Sequence, residues 1–244
     1  MVVTRVIRKF FNAFGYEIMK LQNLSGELSI GKWIEKLNID TIIDVGSNEG
    51  QFINSIRNIL PNKRIIAFEP IKAVYDRLLV NTKGLNIVVH NCGLSDVAGS
   101  AEINISKNFV SSSILQMEEL HQKTYPDSQY VNKETIQLKR LDDVVNLKEN
   151  YGHILLKIDV QGYENKVIAG GTNVIKAVDI VIIEFSFQPI YEGQWLFGDT
   201  YHYFIGNGFK FIGFADQVAD PVIGIPIYGD AIFIKENLAK KLYS

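Results

Sequence analysis

Thr41-Ile42-Ile43-Asp44-Val45-Gly46-Ser47-Asn48-Glu49-Gly50, followed further on by Arg64-Ile65-Ile66-Ala67-Phe68-Glu69-Pro70, decides how this chain reads. An apolar run ends on an acid and a glycine turn, residues 51–60 carry helical periodicity, and a second apolar run stops on a single carboxylate. Strand, turn, helix and strand in that order build a parallel sheet whose carboxyl ends converge on a ligand. Gly46 and Gly50 supply backbone geometry that a Cβ would obstruct. The helix that follows Gly50 turns free N–H groups and a positive dipole end toward the same place. Glu69 comes about 20 residues after the turn, where a carboxylate accepts hydrogen bonds from two ribose hydroxyls.

A dinucleotide fingerprint requires glycine in the middle of the turn, so that the backbone can approach a pyrophosphate. Asn48 stands there and carries a side chain. The turn therefore predicts a ligand with a ribose and no pyrophosphate, of which S-adenosylmethionine is the common example. The bland reading of Glu69-Pro70, a strand end capping the next helix, leaves the spacing of turn, helix and acid unexplained.

The length of 244 residues suits one α/β domain over residues 39–244, preceded by an N-terminal helical segment over 1–38. With 47% hydrophobic residues and a net charge of -2, the chain is neither disordered nor basic enough to suggest nucleic acid as a partner. The single cysteine, Cys92, excludes an internal disulfide and a zinc-ligand cluster, and a cytoplasmic setting is the default. No stretch approaches the roughly 20 apolar residues that span a bilayer, and no cleavage site follows an apolar run near the start. Val3, Ile7, Phe10, Phe11 and Phe14 can share one helical face against Arg5, Arg8 and Lys9. Such a face packs on its own domain or on a second subunit of a homodimer; the alternative is peripheral contact with a membrane surface.

Beyond the opening motif, a helix is expected over 27–37, and helices over 73–81 and 163–169 alternate with strands over 86–91, 154–159 and 180–185. Strands over 209–214 and 231–234 close a mostly parallel, seven-stranded sheet with helices on both faces. Asp199 is placed to cap a helix ending near Gly206 or Gly208. Strand-like segments at 99–106 and 135–141 bracket a polar stretch with Ser111-Ser112-Ser113 and Tyr125-Pro126. This insertion, about 99–140, is expected to form a lid or hairpin over the site.

A second motif, Leu155-Leu156-Lys157-Ile158-Asp159-Val160-Gln161-Gly162-Tyr163-Glu164, puts two charges inside an apolar strand. Side chains two apart share a face, so Lys157 and Asp159 point together while Leu156 and Ile158 pack on the other layer. Burial of an unpaired charge is costly, so the two pair, meet a ligand or emerge at the strand tip. Asp159 falls at the carboxyl end, where ligands of open sheets bind; a purely structural ion pair is the competing reading. Asn91, closing the third strand, either reads the adenine amino edge or belongs to a local turn with Gly93 and Ser95-Asp96.

The Asp-Val-Gly-x-Asn-x-Gly turn, Ala-Phe-Glu-Pro, the serine run, Arg140-Leu141-Asp142-Asp143 and Lys-x-Asp-x-x-Gly-x-Glu together resemble the FkbM family of S-adenosylmethionine-dependent methyltransferases, over about residues 38–187. The resemblance implies a Rossmann-like class I methyltransferase fold and O-methylation of hydroxyls on sugars or polyketide-like products. It places Asp44, Gly46, Asn48 and Gly50, with Ser47 in the same turn, at the methionine part of the cofactor, Glu69 at the ribose and Asp159 at the tip of the fourth strand. The family's motif more often has an acid where this chain has Gln161, so the resemblance carries no acid-base role over to that position, while it leaves cofactor binding in place.

Methyl transfer from a sulfonium is an in-line displacement, so alignment of acceptor oxygen, methyl carbon and sulfur supplies most of the rate. A hydroxyl acceptor still loses a proton, and Asp159 and Glu184, on adjacent strand tips, are the candidates to take it, with Lys157 as orienting partner. The same two carboxylates make a thin site for a divalent cation, and no metal is assigned. His90, His121, His153 and His202 lie on separate elements. Tyr191, Trp195, Phe197, Tyr201 and Tyr203 either roof the pocket of a small-molecule or glycan acceptor or pack in the core. Two rival functions keep the pocket: a nicotinamide-dependent oxidoreductase, which Asn48 disfavours, and a non-catalytic nucleoside-binding module.

Overall fold

The computed structural model describes residues 32–242. After a 3-10 helix at Lys32–Leu37 come β1 (Ile39–Val45), α1 (Gln51–Ile56), β2 (Arg64–Phe68), α2 (Lys72–Asn81) and β3 (Ile87–His90). β4 (Gly93–Leu94) follows, and the inserted region then holds β5 (Gly99–Ser106), α3 (Glu119–Thr124) and β6 (Tyr130–Lys139). Next are α4 (Leu141–Val144), β7 (His153–Ile158), α5 (Glu164–Gly170), α6 (Thr172–Ala177) and β8 (Ile180–Ser186). The chain continues with α7 (Phe197–Gly206), β9 (Phe209–Ala219), β10 (Pro226–Lys235) and α8 (Glu236–Leu242).

Seven strands form one sheet in the order β3-β2-β1-β7-β8-β10-β9, in which β10 alone runs against its neighbours. The chain winds outward from β1 to β3, then crosses back to β7 on the other side of β1. The carboxyl ends of β1 and β7 therefore flank the point where the winding reverses, which is where open sheets bind ligands. This is the mostly parallel, Rossmann-like arrangement expected from the sequence.

Both faces of the sheet are covered because the central strands are apolar on both sides. Ile43, Val45, Leu156, Ile158, Val181 and Ile183 join Val167, Val174 and Phe204 of α5, α6 and α7 in one buried cluster. Ile42, Leu155, Ile180 and Ile182 join Ile53, Leu78 and Leu238 of α1, α2 and α8 in the other. Asp44, Lys157, Glu184 and Asp230 continue this second face at the carboxyl end of the parallel strands, where covering helices give way to the site.

Local differences from the sequence reading have physical causes. α1 stops at Ile56 because residues 58–60 close onto Ser55 and Ile56 in tight turns before Pro61. Gly170-Gly171 breaks a helix without ending the helical run, which resumes as α6. Asp199 sits inside α7 rather than before it, and its Oδ2 accepts from the N–H of Leu196, the true cap position, at 3.1 Å. The polar insertion contains the short helix α3, and its second strand starts earlier, at Tyr130; β5 and β6 pair antiparallel and β4 adds to β6, giving a separate three-stranded sheet. The expected amphipathic face over Val3 to Phe14 lies outside the described residues, as do residues 27–31 of the helix expected over 27–37, whose remainder forms the 3-10 helix at Lys32–Leu37. Among the described residues no helix is long and apolar enough to cross a membrane.

Candidate active site

The turn after β1 is built against the tip of β7. Gly46 has φ 80°, and a Cβ there would overlap the carbonyl oxygen of Asp159, whose own N–H bonds back to Val45 O at 3.0 Å. Only glycine lets the two strand ends close up in this way. The N–H groups of Gly46 and Ser47 donate to Phe68 O at 3.1 and 3.0 Å, and Ser47 Oγ donates to Asp44 O at 2.9 Å. Asn48 adopts φ 47°, a left-handed geometry that asparagine tolerates better than most residues, with its Oδ1 accepting from Glu49 N–H at 2.7 Å.

Glu69 ties two loops together. Its Oε2 accepts from Asn48 N–H at 3.0 Å and its Oε1 from Ile71 N–H at 2.8 Å. Burial pushes its carboxyl up to about 7 despite these two bonds. Asp44 is driven the same way, by burial to about 7, and its Oδ2 has no hydrogen-bond partner although no water reaches it. A buried acceptor left without a donor is costly, so this oxygen is set for a donor that the protein itself does not supply.

Asp44, Gly46, Ser47, Asn48, Glu69, Lys157 and Asp159 all line one cavity of about 330 Å³. Its apolar end is walled by Phe68, Cys92 and Leu94 on one side and by Ile103, Phe109 and Ile136 of the insertion on the other. Phe109 is held in a left-handed conformation, φ 60°, with the Arg77 guanidinium 4.7 Å from its ring centre and ion-paired to Glu49 at 2.7 Å.

Two of the residues expected at the ligand do not line the cavity. Asn91 is outside the cavity, because its amide nitrogen is committed to the carbonyls of Glu69 and Pro70, each at 3.0 Å. It braces the Glu69 turn. Gly50 also stands behind the lining: at φ 92° it starts α1 and its α-carbon faces Leu78, leaving it a turn-forming role.

The carboxylates at the other end form a connected group. Lys157, buried on β7, donates to Asp230 at 2.6 Å and Asp159 at 3.3 Å. Burial alone would discharge the ammonium, but the Asp230 and Asp159 carboxylates outweigh it and keep the lysine charged. Gln161 Nε2 lies 2.9 Å from Asp159 Oδ1 and 3.0 and 2.9 Å from Glu184 Oε1 and Oε2. Glu184, outside the cavity lining, is thereby joined to Asp159, which is in it. Burial, followed by the nearby Asp159 and Glu164 carboxylates, raises the Glu184 carboxyl well above its ordinary range. Glu164 accepts from the N–H groups of Val160 at 2.9 Å and Gly162 at 3.2 Å, fixing the turn that carries Gln161.

Sequence reasoning missed Asp230, although a charge directly before the apolar run 231–234 was a usable signal. It expected the insertion over the site but not which of its residues line the cavity, and it missed that Tyr191 reaches Gln161 at 2.8 Å. The other aromatics of its stretch pack in the core, where Phe197 meets Phe185, Phe187 and Phe214 at 4.9, 5.7 and 5.3 Å. Each histidine is engaged away from the carboxylates. His121 is enclosed between Tyr125 and Tyr191, and burial lowers it to about 4; His90 stacks on Phe68; His153 faces Asp179; His202 lies exposed against Gly198 O.

Residues 44–211 match the family described as the methyltransferase FkbM domain, which carries the likeness past the serine run and β8 into β9. Among curated proteins, the chain is 26% identical over 160 residues to the 2-O-methyltransferase NoeI of Sinorhizobium fredii, covering 63% of this chain and 66% of the relative. It is 32% identical over 156 residues to methyltransferase sdnD of Sordaria araneosa, covering 53% and 59%. It is 28% identical over 172 residues to the hexuronic acid methyltransferase AglP of Haloferax volcanii, covering 69% and 66%. The chain thus spans somewhat less than two thirds of these relatives' lengths. A match over the greater part of the chain, taking in both strand-end motifs, sets the nicotinamide reading aside: the chain belongs to the FkbM methyltransferase domain family, and its cofactor is S-adenosylmethionine.

Proposed function

We propose that this chain methylates a hydroxyl oxygen on a sugar, a glycan or a small natural product. The observation that carries this reading is the cavity itself. One end holds the enclosed Glu69 carboxylate, the middle holds the unpartnered Asp44 oxygen, and the far end opens on Asp159, linked through Gln161 to Glu184. The donor set fits the cofactor. Glu69 suits a ribose diol, Asp44 suits an ammonium, and the Phe68, Ile103 and Ile136 wall suits an adenine face.

Bound there, S-adenosylmethionine supplies an electrophilic methyl carbon on a positively charged sulfur. The protein's part is to hold the acceptor oxygen in line, exclude water and receive a proton. Asp159 lines the cavity and is our candidate to receive that proton, Gln161 links it to Glu184 outside the lining, and Lys157 with Asp230 fixes the Asp159 side chain from behind. A positioned base contributes typically about 10²- to 10⁴-fold to such a step. Relatives named for 2-O-methylation and for hexuronic acid methylation support a sugar hydroxyl as the acceptor class.

The reading predicts saturable binding of S-adenosylhomocysteine by calorimetry. Gly46→Arg fills the space against Asp159 and abolishes it, while Glu69→Ala weakens it by about tenfold or more, ~1.4 kcal/mol. Thermal melts of both variants separate lost binding from lost fold. Incubation with methyl-labelled cofactor and a glycan or metabolite pool should place label on an acceptor oxygen. Binding unaltered in the Glu69 variant would remove the ribose assignment, and absence of binding by the native chain would remove the whole reading.

A further inference from the structure

The serine run helps to hold an aromatic residue in a backbone conformation that does not suit it. Phe109 lies at the centre of a three-residue turn, closed by Val110 N–H donating to Asn108 O at 2.8 Å, with φ 60° at the phenylalanine. That is the rarer, strained hand of such a turn, and glycine or asparagine is its cheaper occupant. Hydrogen bonds on all sides over-determine it. Phe109 N–H donates to Ser106 O at 3.0 Å and Ser112 N–H to Phe109 O at 3.2 Å, while Asn108 Oδ1 accepts from Ser106 Oγ at 2.7 Å and Ser111 N–H at 3.2 Å. The outcome is a ring that lines the apolar end of the cavity. Strain maintained in this way collects at ligand clamps.

A second contact fixes this ring from outside the insertion. The Arg77 guanidinium of α2 stands 4.7 Å from the ring centre, and its Nε lies 2.7 Å from Glu49 Oε1. Arg77 Nη2 is enclosed and has no hydrogen-bond partner among the described residues, so that side of the guanidinium is left to the ring. Glu49 belongs to the turn after β1, and Asn81 Nδ2 of α2 also donates to its carbonyl, at 2.9 Å. The Arg77 and Glu49 side chains are 41% and 39% exposed, so their ion pair adds little to folding and its effect lies in where the ring stands. The turn whose Asn48 N–H meets Glu69 thus also anchors, through Arg77, the aromatic wall on the insertion side.

We propose that Phe109 is a cofactor-binding residue that covers the adenosyl end, and that Arg77, anchored by Glu49, is the positioning residue that keeps the ring there. This rests on the cofactor placement above, with adenine at the apolar end and ribose at Glu69. Arg77 does not itself line the cavity, so its influence on the cofactor passes through the ring.

The test is calorimetry of the full chain with S-adenosylhomocysteine and, as a second probe, adenosine, with thermal melts of each free variant to confirm its fold. Phe109→Gly accepts the positive φ without strain and removes the ring, and should weaken both ligands by about tenfold, since both carry adenine. Arg77→Met keeps the apolar stem and should weaken them by about threefold. Arg77→Lys retains a cation beside the ring and Glu49, and should recover most of that loss. In the Phe109→Gly background Arg77→Met should bring no further loss, a result that a separate structural role of Arg77 would not produce. Unaltered affinity in Phe109→Gly, or a loss for S-adenosylhomocysteine with none for adenosine, overturns the binding assignment. A threefold loss that persists in the double variant overturns the positioning assignment. If Phe109→Gly does not fold, Phe109→Leu replaces it, with a loss of about threefold expected and unaltered affinity again decisive against the proposal. A native chain that fails to bind S-adenosylhomocysteine contradicts the methyl-transfer reading instead, so the two failures are distinguishable.

Discussion

Glu69 shows how one residue can organise a site and wait for a ligand. Its two oxygens already accept from Asn48 and Ile71, yet burial holds its proton until about pH 7, against an ordinary value of 4.5. A group whose folded value lies above its unfolded one adds stability that is complete below pH 4.5 and is lost as pH rises to about 7, on the order of 3 kcal/mol for this shift. Asp44 acts in the same direction. Ribose hydroxyls donating to Glu69 favour its charged form. Binding of S-adenosylhomocysteine should therefore release protons near pH 6, and affinity should tighten as pH rises through 7. Calorimetry in two buffers of different ionisation heat checks this: equal apparent enthalpies at pH 6 would contradict the linkage, and Glu69→Gln should reduce the difference between buffers.

At the scale of elements, short helices here depend on partners outside themselves. α6 spans only Thr172–Ala177, too few residues to be stable alone. Its amino end is capped from α4, where the Asp142 carboxylate accepts from the N–H of Asn173 at 3.1 Å and of Val174 at 2.9 Å, and from Asn173 Nδ2 at 3.1 Å. Asp142 belongs to one of the motifs behind the family resemblance, and its contacts give it a structural duty. Asp142→Ala should cost about 1 kcal/mol, read as a lower denaturant midpoint, while leaving affinity for S-adenosylhomocysteine unchanged. A tenfold loss of affinity at unchanged stability would assign Asp142 to the site instead. The pairing of β10 with β8 serves the site in the same way, since it brings Asp230 opposite Glu184 and within reach of Lys157.

At the scale of the molecule, the insertion is part of the cavity at the strand ends. Ile103, Phe109, Val110, Ser112, Ile114 and Ile136 close its apolar end, and Ser113 reaches across to Gln161 at the acceptor end. The insertion therefore touches both the apolar end of the cavity and the turn that carries Gln161. Binding of S-adenosylhomocysteine should slow amide hydrogen exchange in β5 and over residues 109–114 more than in the distant β9 strand, a pattern that mass spectrometry of the full chain resolves. Protection confined to the β1 and β2 turns would show that the insertion takes no part in closing the cavity.

The sequence alone determined the sheet and one end of the cavity at its strand tips. Alternating apolar runs specify parallel strands, and the glycine turn, Asn48 and Glu69 lie close enough along the chain for spacing to reveal them. It also placed Lys157 and Asp159 on one face, because the two-residue period of a strand is a local property. Only the tertiary structure decided what those charges meet. Asp230 lies 73 residues from Lys157, Glu184 23 from Gln161, and Ser113 48 from Gln161, separations at which no pattern in the chain fixes a contact. The same holds for Asn91, whose amide was free to face a ligand or a backbone until packing turned it to the carbonyls of Glu69 and Pro70. Periodicity is written residue by residue, but the partners of a buried polar group are chosen by whichever strands and loops the closed sheet brings beside it.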